Sequence, residues 1–393
     1  MINKLSIVKL NPIIIREDRK NYIVEDRKNG EFYEMPNPAV DAINLINKGK
    51  PLGDIEQILK VKYPNEDIDI IDFANQLLDL ELISEVNGEL ILKEVDQFGP
   101  TGFLWIPESV SRFFFNKYSY IFYISLLLFN IYILLTNHHL LPNYKDYFIF
   151  SWMSLNILLW LGIGGALLIL HEFGHIIAMR ANGLPTRLSI GHRLFFIALE
   201  TDMAAAWKLP SGKRNVLYLG GLCFDMVAFA CALSIQYFYP TGPALLLAIM
   251  KILVIDIFIR FIFQCGVYMK TDLYFVIENI SGSYNLMENA HHYIKSKFKK
   301  EARKAGEAVY EEEKRTIKSY SVIYFIGVLL TILVFVFYSI PQIITTMSHS
   351  IDRLSSPLFS KPFFDGAIVL VQTLTGLSLL LYSWYKKYRL KKE

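Results

Sequence analysis

Hydropathy divides the chain into a mixed first part and an apolar remainder. Residues 1–115 alternate polar and apolar positions as soluble domains do, and nearly all long apolar runs follow them. A bilayer-crossing helix needs about 20 apolar residues. Runs of sufficient length lie at about 116–136, 147–179, 215–239, 243–265, 320–341 and 364–385. The pattern predicts an α-helical polytopic membrane protein with about six spans.

Basic residues alternate between the loops that join these runs. The second–third and fourth–fifth loops and the C-terminal tail are rich in Lys and Arg, whereas the remaining loops hold at most two basic residues each. Basic loops stay on the cytoplasmic side of a membrane. The first residues also lack the long apolar core of a signal peptide. The chain is also rich in Lys, Ile, Asn and Tyr, which is typical of AT-rich bacterial genomes. We therefore expect a multi-pass protein of a bacterial cell membrane with both termini in the cytoplasm.

Residues 1–98 predict an N-terminal α+β cytosolic domain of winged-helix-like order. Asn-Gly pairs at 29–30 and 87–88 indicate hairpin turns. Strands are expected at 4–17 and 21–35, and helices at 38–48, 53–63 and 68–82. Many winged helices bind DNA, but the third helical region here is acidic and the net charge is only +3. Both features argue against nucleic acid as a partner.

The second apolar run contains the sequence His-Glu-Phe-Gly-His at 171–175. On a helix, positions i and i+4 share one face, so His171 and His175 can bind one Zn²⁺ together. Zinc lowers the pKa of a bound water to about 7, and Glu172 is placed to act as the general base. Ionisable groups at the membrane end of an apolar helix are costly, which favours a functional explanation over a chance match.

A catalytic zinc usually has three protein ligands, and the third must come from another part of the chain. Asp272 follows the fourth span directly, on the side where the histidines are expected, and its position favours it. The alternatives are Asp225 in the third span, Asp256 in the fourth with Arg260 one turn on, and His291 and His292 in a polar segment. Asp202 is a further acidic residue that could belong to the site.

The membrane half resembles the site-2 protease family of intramembrane zinc proteases, and more narrowly its bacterial peptide zinc metalloprotease branch. The matching stretches are HEFGH (171–175), RANGLPTRLSIG (180–191), ALETDMAAAWKLPSGKRNVLYLGGLCFD (198–225) and MKTDLYF (269–275). The resemblance implies that His171, His175 and Asp272 are the metal ligands and Glu172 is catalytic. It departs at Leu273, where the family usually has Gly. A β-hairpin within 184–204 would pair with an extended substrate, as in that family.

The N-terminal domain resembles the PqqD-like family of precursor-peptide recognition domains. The residues that carry this resemblance are FYEMPNPAVDAINLINKGKPLGDIEQILKVKYP (32–64) and FANQLLDLELI (73–83). It implies capture of a ribosomally made precursor peptide as an added strand. Together, the two resemblances imply an intramembrane or membrane-surface zinc metalloendopeptidase that cleaves such a peptide during its maturation or export, with an exporter or a modifying enzyme as a further partner. The alternative is a non-catalytic zinc-containing component of a peptide export or immunity system.

The sequence thus predicts four segments. They are the recognition domain at 1–98, the membrane zinc protease core at 99–285, a charged cytosolic helical segment at 286–318, and the C-terminal spans with a basic tail at 319–393. The expected partners are the precursor peptide and the lipid bilayer.

Overall fold

The computed structural model is mostly helical, with small sheets in its first part. It describes residues 2–19, 21–91, 102–193, 196–283, 285–298 and 311–389. The chain forms two compact units, one of Met1–Gly102 with Met203–Lys213 and one of Phe103–Asp202 with Arg214–Glu393. The predicted boundary at 98, the apex of the predicted hairpin at 194–195 and the end of the basic tail lie outside the described residues.

Two three-stranded antiparallel sheets make up the β-structure of the first unit. One has the order β1-β5-β6 and the other β2-β3-β4. The strands are β1 (Val8–Leu10), β2 (Ile13–Asp18), β3 (Asn21–Asp26), β4 (Phe32–Met35), β5 (Ile83–Val86) and β6 (Glu89–Leu90). The Asn87-Gly88 turn between β5 and β6 is confirmed, and both residues have positive φ, 51° and 84°.

The strands predicted at 4–17 and 21–35 are each divided in two. Pro12 has no N–H to donate, and the Asn11 N–H bonds to the Leu82 carbonyl at 2.8 Å, so the chain leaves the first sheet there. In the second segment the division is at the predicted Asn29-Gly30 turn, which is confirmed and in which Gly30 has a φ of 71°. That turn makes β3 and β4 a hairpin with Glu25 opposite Phe32.

Three helices cover these sheets, as predicted. They are α1 (Asn37–Ile46), α2 (Leu52–Lys62) and α3 (Ile70–Asp79). Their apolar faces meet the sheets in one core, where Val24, Leu52 and Ile55 are fully buried. Asp69 begins α3 by accepting hydrogen bonds from the backbone N–H groups of residues 71 and 72.

A distant segment of the chain completes the first unit. Met203–Lys213 belongs to it, although the sequence places these residues between two membrane runs. Arg16 donates to the Lys208 carbonyl at 2.6 Å, and the Lys208 ammonium lies 3.2 Å from the Glu25 carboxylate. Arg16 also pairs with Glu25 at 3.3 Å. The three side chains form a small charge network that ties this segment to the β2–β3 hairpin.

Helices dominate the second unit. They are α4 (Glu108–Phe114), α5 (Lys117–Thr136), α6 (Met153–Ala181), α7 (Ser211–Tyr218), α8 (Gly220–Phe238), α9 (Ala244–Gln264), α10 (Asp272–Ser281), α11 (Leu286–Phe298), α12 (Glu311–Val334), α13 (Ile340–Leu354) and α14 (Lys361–Arg389). A π-helical turn, Phe335–Ser339, joins α12 to α13. The predicted hairpin is present as β7 (Leu188–Arg193) and β8 (Phe196–Thr201).

Five helical segments among the described residues are long and apolar enough to cross a membrane. They are Glu108–Thr136, Met153–Ala181, Ser211–Phe238, Arg315–Leu354 and Lys361–Lys386. The predicted fourth span corresponds to α9, which has sufficient length but carries Lys251, Asp256 and Arg260. Helix α6, the predicted second span, is uninterrupted through Gly162, Gly164 and Gly165.

Packing in the second unit centres on α8, which contacts α5, α6 and α9. Phe229 and Leu233 of α8 meet Val254 and Ile257 of α9 in a buried apolar cluster. The start of α6 is fixed by Asp365 of α14. Its buried carboxylate accepts the Met153 and Ser154 N–H groups at 2.9 and 3.0 Å.

Candidate metal centre

Two imidazoles lie on one face near the C-terminal end of α6. His171 and His175 are one turn apart, as the i, i+4 spacing predicts, and their exposed fractions are 5% and 2%. Their Nε2 atoms are 3.3 Å apart. Two nitrogens at this distance from the same helix can bind one ion.

Asp272 reaches the same point from the first residue of α10. The turn before it contains Lys270, whose φ of 53° is left-handed. Gln264, at the end of α9, holds Asp272 twice: its amide carbonyl accepts the Asp272 N–H at 3.0 Å, and its amide NH₂ donates to Oδ2 at 2.8 Å. The reversal of the chain therefore occurs at Lys270, and Leu273 lies within α10 without positive φ.

The three side chains converge on a small volume. Asp272 Oδ2 lies 3.0 Å from His171 Nε2 and 3.4 Å from His175 Nε2. Within the described residues, His171, His175 and Asp272 form the one group of three such side chains that could hold a metal ion, with ligand atoms within 4.8 Å of one another.

The other acidic and histidine candidates lie elsewhere. Asp225 contacts His171 on the far side of its ring. Asp256 pairs with Arg260 at 3.0 Å, and Asp202 pairs with Arg187 at 3.0 Å. His291 lies on α11 outside the group, and nothing is described of the His292 side chain.

Hydrogen bonds behind the rings determine where the imidazole protons are. His171 Nδ1 lies 2.7 Å from the Asp225 carboxylate, and His175 Nδ1 lies 2.9 Å from the Leu217 carbonyl. Both partners are acceptors, so Nδ1 carries the proton in each ring and each Nε2 presents a lone pair. Two lone pairs and a carboxylate oxygen then face one another. Such an arrangement repels itself unless a cation lies between them.

Three acidic residues are buried around this point. Asp225, Asp272 and Glu172 have exposed fractions of 0, 2 and 6%. None of them forms an ion pair with Lys or Arg in the part of the chain that the structure describes. Buried carboxylates without such partners are very costly, and a bound metal ion would supply the missing positive charge.

The protonation of Asp272 is set by opposing influences. Burial is the largest and acts to raise its pKa. When the imidazoles are protonated, as in the absence of a metal ion, the charge and hydrogen bonds of His175 and His171 outweigh burial and hold the pKa of this carboxyl well below its usual range. Asp272 is therefore ionised, which is the state in which a carboxylate can bind a metal ion.

Glu172 is held by β8 of the hairpin. Its Oε2 accepts the Thr201 backbone N–H and the Thr201 hydroxyl, each at 2.8 Å. Thr201 is the last residue of β8 and pairs with Leu188 of β7. The hairpin thereby fixes the carboxylate that follows the first histidine of the motif.

Glycines allow α8 to approach this face of α6 closely. A Cβ added to Gly221 would lie 2.5 Å from the His171 ring, and one added to Gly174 would lie 2.3 Å from the Gly220 carbonyl oxygen. Any side chain at these positions would displace the ring or separate the helices. The Gly220-Gly221 pair thus makes room for the face of α6 that carries His171 and His175.

Sequence reasoning missed several residues of the site. Gln264, Thr201 and the Leu217 carbonyl were not identified. A polar Gln at the end of an apolar run, eight residues before Asp272, was the available signal for the first. A carbonyl group leaves no signal in the sequence.

Comparison with family models finds no match for this chain, and comparisons with curated proteins and with solved structures find none either.

Proposed function

We propose that this protein is a membrane-bound zinc metalloendopeptidase that cleaves a ribosomally made precursor peptide during its maturation or export. The observation that carries the proposal is the convergence of two His Nε2 atoms and one Asp oxygen beside a buried, positioned glutamate. Two histidines and one acid are a ligand set of catalytic zinc, which leaves a fourth position for water.

The spacing of the donors fits zinc. Tetrahedral bonds of about 2.0–2.1 Å place ligand atoms about 3.3 Å apart. The three separations here are 3.0, 3.3 and 3.4 Å. Imidazole nitrogens disfavour Ca²⁺ and Mg²⁺, which take oxygen ligands. His171, His175 and Asp272 would hold the ion, with Asp225, the Leu217 carbonyl and Gln264 behind them.

The proposed chemistry is hydrolysis of an amide bond. Bound zinc supplies Lewis acidity, which polarises a carbonyl and makes water more acidic. Glu172 accepts a proton from the attacking water and then passes it to the leaving amine. Asp225 keeps the proton of His171 on Nδ1, so Nε2 stays available as a ligand. Gln264 keeps Asp272 turned toward the two imidazoles.

The hairpin supports binding of the substrate as an extended strand. The Asp202 N–H bonds to the Arg187 carbonyl on the β7 side, whereas the Thr201 N–H turns to Glu172 on the opposite side. In an antiparallel pair, alternate residues point their backbone groups outward. Those of Leu199 therefore lie on the same outer edge of β8 as those of Thr201. A peptide strand added there would run toward Glu172.

Recruitment of the precursor peptide is assigned to the N-terminal domain. Strand β1 is the outer strand of its sheet, and beside it lies a groove of about 560 Å³. The groove is lined by Ile7, Lys9, Leu10, Ile46 and Glu85 among others. Apolar walls next to an available strand edge suit an extended peptide better than a nucleic acid.

The proposed location is a bacterial cell membrane, with both termini in the cytoplasm. Helix α9 would be the sixth span beside the five apolar segments. Pairing of Asp256 with Arg260 lowers the cost of placing both charges in lipid. A partner exporter or modifying enzyme would handle the peptide after cleavage or before it.

The test is zinc content and cleavage measured on the same preparations. Wild type and Glu172→Gln are purified in detergent and offered the short peptides encoded beside the gene. We expect zinc in both and cleavage by wild type alone, with a loss of at least about 1,000-fold because the general base is removed. Equal cleavage by both would overturn the assignment of Glu172. Zinc in both with no cleavage by either would favour a non-catalytic export or immunity component.

A further inference from the structure

We propose that Thr201 is a positioning residue of this enzyme, which holds Glu172 through one carboxylate oxygen and leaves the other oxygen to exchange the proton. The inference deepens the function proposed above and rests on it. Thr201 touches neither the ligand group nor the reacting atoms, and acts through Glu172 alone.

The contacts between the two residues are directional and buried. The backbone N–H and the hydroxyl of Thr201 each lie 2.8 Å from Glu172 Oε2. The hydroxyl also lies 3.2 Å from the Glu172 carbonyl oxygen, but its single proton favours the closer, charged acceptor. Thr201 is 7% exposed and Glu172 is 6% exposed, so water competes little for these bonds.

The two carboxylate oxygens of Glu172 differ in their hydrogen bonds and therefore in their roles. Glu172 Oε1 has no hydrogen bond to any described residue, whereas Oε2 has two donors. Oε2 is already occupied by two donors, so Oε1 is the oxygen that remains open to the water. A carboxylate otherwise rotates freely about its last bond, and two donors on one oxygen stop that rotation.

The side chain of Thr201 is suited to this task in a way that most residues are not. Its hydroxyl and its backbone N–H both donate to the same acceptor atom, Glu172 Oε2. Valine has the same shape and keeps the N–H, but has no hydroxyl. Serine keeps both donors and lacks only the methyl group.

Activity of three variants tests the proposal. Thr201→Val should lower kcat about tenfold or more, with KM and zinc content close to wild type, because one charge-assisted hydrogen bond is lost. Thr201→Ser should stay within about threefold of wild type. The matched control is Ser189→Ala. Ser189 also donates its hydroxyl within this hairpin, 3.2 Å from the Glu200 carbonyl, but makes no contact with Glu172. It should cleave like wild type.

Infrared spectroscopy gives a readout that needs no substrate. The carboxylate bands that disappear in Glu172→Gln belong to Glu172. Thr201→Val should shift their antisymmetric stretch, and Ser189→Ala should not. If Thr201→Val fails to fold, Thr201→Ala takes its place, with the same expected shift.

The outcomes separate this inference from the proposed function. Wild-type kcat and an unshifted band in Thr201→Val would overturn the role of Thr201, while Glu172→Gln would still report on the protease. A fall in kcat that is matched by Ser189→Ala would also overturn it, because it would indicate a general effect on the hairpin. Absence of cleavage by wild type would end the proposed function and the positioning role together.

Discussion

Two of the clusters of charged side chains among the apolar helices of the second unit differ in their construction. In the candidate metal centre, α6 and α10 supply the three candidate ligands, and α7, α8 and α9 supply the partners behind them. The other cluster is the pair Asp256–Arg260, which lies within one turn of α9. A pair on one helix neutralises itself. Groups that converge from several helices with their lone pairs facing inward require a cation between them.

The comparison shows why charge in an apolar run does not by itself locate a site. Asp225, Asp256 and Asp272 were all plausible third ligands from the sequence, since each is an acid near the membrane region. They are distinguished only by the chemical group that each carboxylate contacts in the folded protein. Asp256 meets a guanidinium, Asp225 meets a protonated ring nitrogen, and Asp272 meets two unprotonated ones.

The largest expected difference between the clusters is in metal content. Asp272→Ala should abolish stoichiometric zinc, because it removes one of three ligands and leaves Gln264 without its partner. The double variant Asp256→Asn/Arg260→Gln should keep full zinc. Elemental analysis of the purified proteins measures both. Loss of zinc from the double variant would show that the two clusters act as one.

A smaller effect is expected where α8 meets the metal-binding face. Gly221→Ala places a Cβ 2.5 Å from the His171 ring, so the ring or α8 must shift. We expect a loss of about 1–3 kcal/mol in stability and weaker zinc binding. Gly165→Ala on α6 is the control, since an added Cβ there meets nothing within 4 Å. Thermal unfolding with and without a chelator compares the two variants. Equal unfolding temperatures would contradict a close approach of α8 to the His171 ring.

The smallest effect should come from the partner behind His171. Asp225→Asn keeps an acceptor for the Nδ1 proton but removes the charge. Zinc affinity should fall about 10–100-fold, the range typical of outer partners of a ligating histidine. Competition with a chromogenic chelator measures the affinity. An unchanged affinity would show that the Asp225 charge does not act on the metal.

Local patterns in the sequence predicted the helices of both units and the hairpins. The i, i+4 histidines and the turn at Asn87-Gly88 depend on neighbours in the chain, and such features are specified locally. The division of the first predicted strand at Pro12 required knowing that residues 8–10 pair with residues 83–86. The contacts of Gln264 and Thr201 depend on tertiary approach, which no local pattern encodes.

The capping of α6 by Asp365 has a consequence for the order in which the protein is made. Asp365 follows Met153 by 212 positions, yet it accepts the first backbone N–H groups of the helix that carries both histidines. Arg353 and Ser154 share the same carboxylate. A ribosome therefore completes the anchor of this helix only after nearly all other helices have been synthesised. A nascent or truncated chain that ends before α14 would lack that anchor, so the proposed protease activity would appear only late in synthesis.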